Sequence, residues 1–198
     1  MKKILILFAH PAFHKSRINK ALIQSISGID GITINNLYEN YPDFFINVKK
    51  EQELLITHDL IVWHHPFYWY SAPSIIKEWM DLVLEHGFAY GHDGRNLEGK
   101  RVLSVISTGG KKEVYSEEGY NHYTINQFLY PFKQSASLCR MTYLPPFVVH
   151  GSHTISNKEI KHHSELYRKL IEGFRDESID QDELLTMEYA NDIFREHV

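Results

Sequence analysis

Lys3–Ala9 reads KILILFA, an apolar run of strand length with no polar residue after its lysine. A strand with one solvated face alternates apolar and polar positions. An unbroken run is buried on both faces, the state of a strand in a parallel sheet covered by helices. The chain downstream keeps to that plan. Ser16–Ile26 places Ile18, Leu22, Ile23 and Ile26 on one helical stripe. After a turn at Gly28 to Gly31, Ile32–Leu37 reads as a second, weaker strand, Lys49–Thr57 as a short helix and Leu60–His64 as a third strand. Ser71 and Pro73 open the next helix, whose apolar face is Ile75, Ile76, Trp79, Met80, Val83 and Leu84, with Gly87 at its C-terminal position. Arg101–Thr108 is a fourth strand and Phe147–His150 a fifth. Between them Thr124–Leu138 is helical, kinked or split by Pro131. Ser156 and Glu159 form a capping box for a helix to about Phe174. Five strands separated by helices require crossover connections, hence an α/β fold on a parallel sheet. Residues 1–175 form one domain, and 176–198 an acidic helical tail that either packs on a partner subunit or is solvated.

Composition narrows the function classes. The 198 residues are enough for one domain with a substantial core. A net charge of -4 argues against nucleic acid, since phosphate neutralisation needs a basic excess. No apolar run approaches the roughly 18–20 residues of a membrane span. Met1-Lys2-Lys3 resembles the start of a signal peptide, but the apolar stretch stops at His10-Pro11. Cys139 is the single cysteine, which excludes an intramolecular disulfide and fits a reducing, cytoplasmic location. The outliers are 13 histidines and 13% aromatic residues. The histidines lack the spacing of a metal site: no HExxH or Cys/His cluster occurs, and His64-His65 would point to opposite faces of a strand. No GxSxG elbow suggests an esterase.

In open α/β sheets ligands lie beyond the carboxyl ends of the strands. After the first strand comes AHPAFHKSRIN, which holds no glycine and so is neither a P-loop nor a GxGxxG turn. It offers His10 and a helix N-terminus with Ser16, Arg17, Ile18 and Asn19, suited to phosphate. Ser16 as a plain N-cap and His10 as a turn residue explain it equally well. After the third strand, Pro66 leads into Phe67-Tyr68-Trp69-Tyr70, four consecutive aromatics that offer a stacking wall for a planar heterocycle, or else a cluster covering the sheet edge or a dimer contact. After the fourth, Ser107-Thr108-Gly109-Gly110 can aim backbone amides at an anionic or carbonyl-rich ligand, or simply end the strand. A phosphate site, an aromatic shelf and backbone donors together suit a flavin mononucleotide.

The blocks HPAFHKSRINKAL, LIVWHHPFYWYSAPSIIKEWMDLVLEHGFAYG and VISTGG resemble the flavodoxin-like NAD(P)H:quinone oxidoreductases. LYENYPDF and LPPF are similar to the flavoprotein ancillary subunits of Kef-type glutathione-regulated potassium efflux systems. The resemblance implies a flavodoxin-like sheet of strand order 2-1-3-4-5 with helices on both faces. It implies bound FMN, with FAD as the alternative, and NAD(P)H as donor of two electrons, passed by hydride transfer to a quinone-like acceptor in a ping-pong mechanism. His10 and Ser16–Asn19 would hold the phosphate and ribityl chain; Pro66–Tyr70 and Ser107–Gly110 would hold the isoalloxazine. The family places a tyrosine after the TGG loop and a histidine six residues on. Here Tyr115 matches the tyrosine, position 121 is Asn121 and His122 follows it, making Tyr115 and His122 the candidate proton donors. Phe88 and Tyr90 match residues that close the pocket from the other subunit of a homodimer. The Kef-type likeness adds an alternative role, a regulatory subunit docked on a membrane potassium efflux protein at the inner face of the membrane. An electron-transfer flavodoxin shares the fold, but the modest charge, the loop without glycine and the aromatic pocket stand against it.

Overall fold

A computed structural model describes residues 1–194; the last four residues of the expected tail lie outside the described residues. The first strand, β1 (Ile4–Phe8), is buried at every position, as the unbroken apolar run requires. It lies between β2 (Ile32–Asn36) and β3 (Leu60–Pro66), with Ile4 opposite both Ile32 and Leu60. Next to β3 runs β4 (Arg101–Ser107). The last strand is two pieces, β5 (Thr142–Tyr143) and β6 (Phe147–Val149), both pairing with β4. All pairs are parallel and the order is β2-β1-β3-β4-β5, the flavodoxin-like arrangement. The expected fifth strand, Phe147–His150, is β6; the two-residue β5 before it was not expected, and Pro145-Pro146 separate the two because proline has no N–H for the ladder.

Helices cover both faces. On one side α1 (Arg17–Ile26) and α7 (Asn157–Arg175) pack Ile18, Leu22, Ile26, Tyr167, Leu170 and Ile171 against Ile4, Ile6, Phe8 and Val62. On the other, a short α2 (Leu37–Asn40), α3 (Val48–Thr57), α4 (Ser74–Val83), α5 (Ile125–Phe128) and α6 (Tyr130–Leu138) bury Leu5, Leu7, Ile61 and Trp63. Ser16 caps α1 by accepting the Asn19 N–H at 3.1 Å, and the Ser156–Glu159 capping box opens α7. Several expected boundaries move. Leu37 starts α2 rather than ending β2. Pro131 splits the expected helix, sitting in the first turn of α6 where its missing N–H is harmless. Helix α4 starts at Ser74, with Pro73 as its N-cap and Ser71 still in the preceding turn, and it ends before Gly87, whose φ of +82° serves a later turn.

The tail folds back on its own chain. Leu184 in α8 (Gln181–Leu185) and Ala190 beyond it are buried in the α1/α7 cluster. Asn191 accepts the Val148 N–H at 2.8 Å and donates its amide to the Val148 carbonyl at 3.0 Å. The expected choice between partner contact and solvation is replaced by docking along β6.

His64 and His65 point to opposite faces, His64 toward Phe8 and Tyr167 and His65 onto Phe132. Burial pushes His64 down to about 3 and His65 down to about 4. Both are neutral in the folded chain at pH 7, whereas the unfolded chain protonates each near pH 6.5. Stability present above pH 6.5 is therefore lost as the pH falls toward 4, by roughly 2 kcal/mol per histidine at pH 5. Urea unfolding at pH 7 and pH 5 should show this loss; equal midpoints would contradict the neutral burial of the pair.

Candidate functional site

The strand register brings the sequence-predicted loops to one rim. Pro66, Ser107 and Val149 lie abreast at the carboxyl ends of β3, β4 and β6, and Phe8 ends β1 beside His64. Beyond the ends of β3 and β4 is a cavity of about 440 Å³ lined by Phe67, Trp69, Tyr70, Gly109, Gly110, Val114, Tyr115, Tyr120 and Asn121.

Its walls are aromatic and its donors are backbone. Trp69 and Tyr70 have φ of +50° and +60°, a left-handed pair that bulky side chains adopt only under constraint. That turn leaves Trp69 93% exposed at the lip. Phe67 donates its N–H to the Ser107 carbonyl at 2.8 Å, and Tyr68 donates to Pro66 at 3.0 Å. The N–H groups of Trp69, Tyr70 and Gly109 meet no acceptor among the described residues, whereas the Gly110 backbone engages the Tyr115 hydroxyl. Thr108 differs again: its N–H pairs with Val149 at 2.9 Å, so of the Thr108–Gly110 amides that of Gly109 remains available. The Thr108 hydroxyl donates to the Gly110 carbonyl at 2.7 Å and lies 3.1 Å from His150 Nδ1. Gly110 is required by close approach, since a Cβ there would stand 2.6 Å from Val114 Cγ2 and 3.2 Å from the Tyr115 ring.

Tyr115 packs edge-on against Phe67 at 5.9 Å and tilted against His150 at 5.7 Å between ring centres. Burial raises its phenol above the ordinary tyrosine value, so it carries its proton at neutral pH. Asn121 is on the cavity wall, accepting the Tyr70 hydroxyl at 3.3 Å. His122 is exposed beside it, with φ +58°.

The end of β1 supplies the second part. His10 is buried and accepts the Ala12 N–H through Nδ1 at 3.1 Å. Burial lowers its pKa, so the ring is neutral with its proton on Nε2, a donor. Its ring meets Tyr68 edge-on at 6.1 Å, which ties the loop after β1 to the aromatic turn. In the first turn of α1 the Arg17 and Ile18 N–H groups have no intrahelical acceptor. The side chains there face elsewhere. Ile18 is in the core, and Arg17 reaches the Ile155 carbonyl at 3.2 Å and Asn157 Oδ1 at 2.7 Å. Asn19 donates to Ser16 Oγ at 2.9 Å and Ser107 Oγ at 3.0 Å, and its Oδ1 lies 3.1 Å from His64 Nε2. The amide is thus fully engaged and positions α1 against the ends of β3 and β4.

Phe88 and Tyr90 are half-buried and do not line this cavity; Tyr90 faces a groove between α4 and α6 with Met80 and Leu138. Val114, Tyr120 and Asn121, which do line it, were not singled out from sequence. Asn121 had one signal, its place six residues after Tyr115. His150, which touches both Thr108 and Tyr115, had none.

Residues 2–171 match the model of a family described as having a flavodoxin-like fold. The glutathione-regulated potassium-efflux system ancillary protein KefG of Erwinia tasmaniensis is 40% identical over 171 residues, 86% of this chain and 93% of that protein. The crystal structure of general stress protein 14 from Treponema denticola, in complex with FMN, is 33% identical with a TM-score of 0.82, over 86% of this chain and 98% of that one. An NADPH-quinone reductase from P. pentosaceus is 32% identical with a TM-score of 0.77, over 84% and 96%.

Proposed function

The chain belongs to the flavodoxin-like fold family, and from that premise we propose that it is a flavin-dependent NAD(P)H oxidoreductase acting on a quinone-like acceptor. The observation that carries the reading is the aromatic cavity at the ends of β3 and β4, with the backbone N–H groups of Trp69, Tyr70 and Gly109 without a protein acceptor around it. A flat, carbonyl-edged ring fits such a wall, and the FMN held by the Treponema denticola relative supports that choice over FAD.

The residues present suit FMN. The Arg17 and Ile18 N–H groups and His10 Nε2–H would hold the phosphate, with Ser16 and Asn19 fixing that turn. Trp69, Tyr70 and Gly109 would donate to the ring's polar edge, and Phe67 and Tyr115 would close on it. Bound there, the flavin supplies a two-electron redox centre between nicotinamide and acceptor. The chain's own part is to exclude water with the Phe67–Tyr70 and Tyr115 rings and to donate a proton from Tyr115 Oη, with His122 as a second donor at the mouth. If one cavity serves donor and acceptor in turn, two-electron, hydride-type transfer with ping-pong kinetics is the expected behaviour.

A homodimer in which the partner presents Phe88 and Tyr90 is part of this reading, supported by their likeness to residues that close such a pocket from a second subunit and by neither lining the cavity of its own chain. The likeness to KefG favours a second role compatible with the first: docking on a membrane potassium efflux protein from the cytoplasmic side. Among the described residues no helix is long and apolar enough to cross a membrane, so such an association would be peripheral.

The test is an absorbance spectrum of the purified chain, chromatography of the released cofactor, and NADH or NADPH oxidation with a quinone present. A yellow protein that releases FMN and shows parallel double-reciprocal lines is expected. A colourless chain that takes up no added FMN would sink the reading.

A further inference from the structure

The family match ends at residue 171, yet the segment beyond it reaches the candidate site. Ala190 donates its N–H to the Pro146 carbonyl at 2.9 Å, and Asn191 brackets Val148, which seats the segment along β6. Just before this anchor the Glu188 carboxylate meets Lys112 Nζ at 2.7 Å, and its carbonyl accepts from Asn126 Nδ2 at 3.2 Å. Lys112 Nζ also stands 4.6 Å above the centre of the Tyr189 ring. Tyr189 is buried, and its ring lies 5.7 Å from that of His150. His150 also meets the Tyr115 ring at 5.7 Å and Thr108 Oγ1 at 3.1 Å. Two routes therefore run from the tail to Tyr115, one through Lys112 in the turn before it and one through the His150 ring.

The turn that carries Lys112 is otherwise held at its far end, by the Tyr115 ring against Phe67 and Phe128 and by the Asn121 N–H on the Val114 carbonyl at 3.0 Å. Lys112–Val114 is a single 3-10 turn with no buried residue, and it follows two glycines. Such a segment has weak local order and takes its position from what is packed on it.

We infer that residues 176–194 form a strap that fixes the Lys112–Tyr115 turn, with Glu188 and Tyr189 as positioning residues for Tyr115, so that the strap sets how tightly the cavity holds flavin. This deepens the proposed function and rests on it for the flavin; the seating of the turn is independent of any ligand.

The experiment separates the two. Hydrogen exchange of the Val114 and Tyr115 amides is followed on the flavin-free chain, FMN affinity is measured by flavin fluorescence, and Tm serves as the control for global stability. Glu188→Lys should speed exchange at both amides and weaken FMN binding by about five-fold, the range of one exposed ion pair plus one cation–π contact. The exchanged pair Lys112→Glu with Glu188→Lys should recover part of both effects. Unchanged exchange in Glu188→Lys overturns the strap. Faster exchange with unchanged FMN affinity overturns its link to the cavity. A parent chain that binds no FMN while its exchange responds to Glu188→Lys upholds the seating of the turn and overturns the flavin reading.

Discussion

Tyr115→Phe should lower kcat for quinone reduction by about 10²-fold or more, the usual loss when a positioned general acid is removed. The substitution keeps the ring and its packing against Phe67 and His150, so FMN affinity should stay within a few-fold. Only the hydroxyl is lost. The phenol's pKa lies above its ordinary value, so parent activity should show no loss of this donor through neutral pH and should fall only in strongly alkaline solution. His122→Ala reports on the second donor: the exposed imidazole stands beside Asn121, which lines the cavity. Steady-state kinetics over pH 6–9, with single-turnover reduction and reoxidation measured separately, distinguishes the two residues. An unchanged kcat in the Tyr115→Phe, His122→Ala double variant would remove both from proton donation.

A comparably large effect is expected far from the cavity. Glu51 on α3 is fully buried and its carboxylate accepts three hydrogen bonds, from Asn35 Nδ2 at 2.7 Å, the Tyr41 hydroxyl at 2.6 Å and Trp79 Nε1 at 2.8 Å. These donors come from β2, the segment after α2, and α4. Glu51→Ala leaves all three without their acceptor in a dry interior and should destabilise the chain by about 3 kcal/mol or more. Glu51→Gln keeps one acceptor oxygen but turns an NH2 toward donors, and should fall between the parent and alanine. Urea unfolding measures both. Equal stability of Glu51→Ala would mean that the three donors find other acceptors. Since α4 follows directly on the aromatic turn, a loosened Trp79 should also show as weaker FMN binding.

Some of this structure was legible because it is local. The Lys3–Ala9 run needs no partner to be recognised, and neither do the Ser16 cap or the Ser156–Glu159 box. Strand-end logic singles out Phe67–Tyr70 and Ser107–Gly110, of which Phe67, Trp69, Tyr70, Gly109 and Gly110 line the cavity. What was missed depends on distant partners. Asn19 was read as a ligand group, but its amide is engaged by Ser107 and His64, 88 and 45 residues away. The left-handed backbone at Trp69 and Tyr70 has no local signature, since aromatic side chains disfavour it. Thr142–Tyr143 is too short to show a period. The tail looked detachable because its partners, Lys112 and Val148, lie 76 and 43 residues from it in sequence.

The pairing of Asn191 with Val148 bears on how copies of this protein avoid one another. Strand β6 ends the sheet, and an uncovered terminal strand is a template on which a second chain can add its own. Here one amide side chain occupies the N–H and C=O of Val148, imitating a neighbouring strand for one residue without offering a further edge. Loss of that side chain would open a place for intermolecular strand addition, so its signature would be concentration-dependent aggregation rather than a change in catalysis.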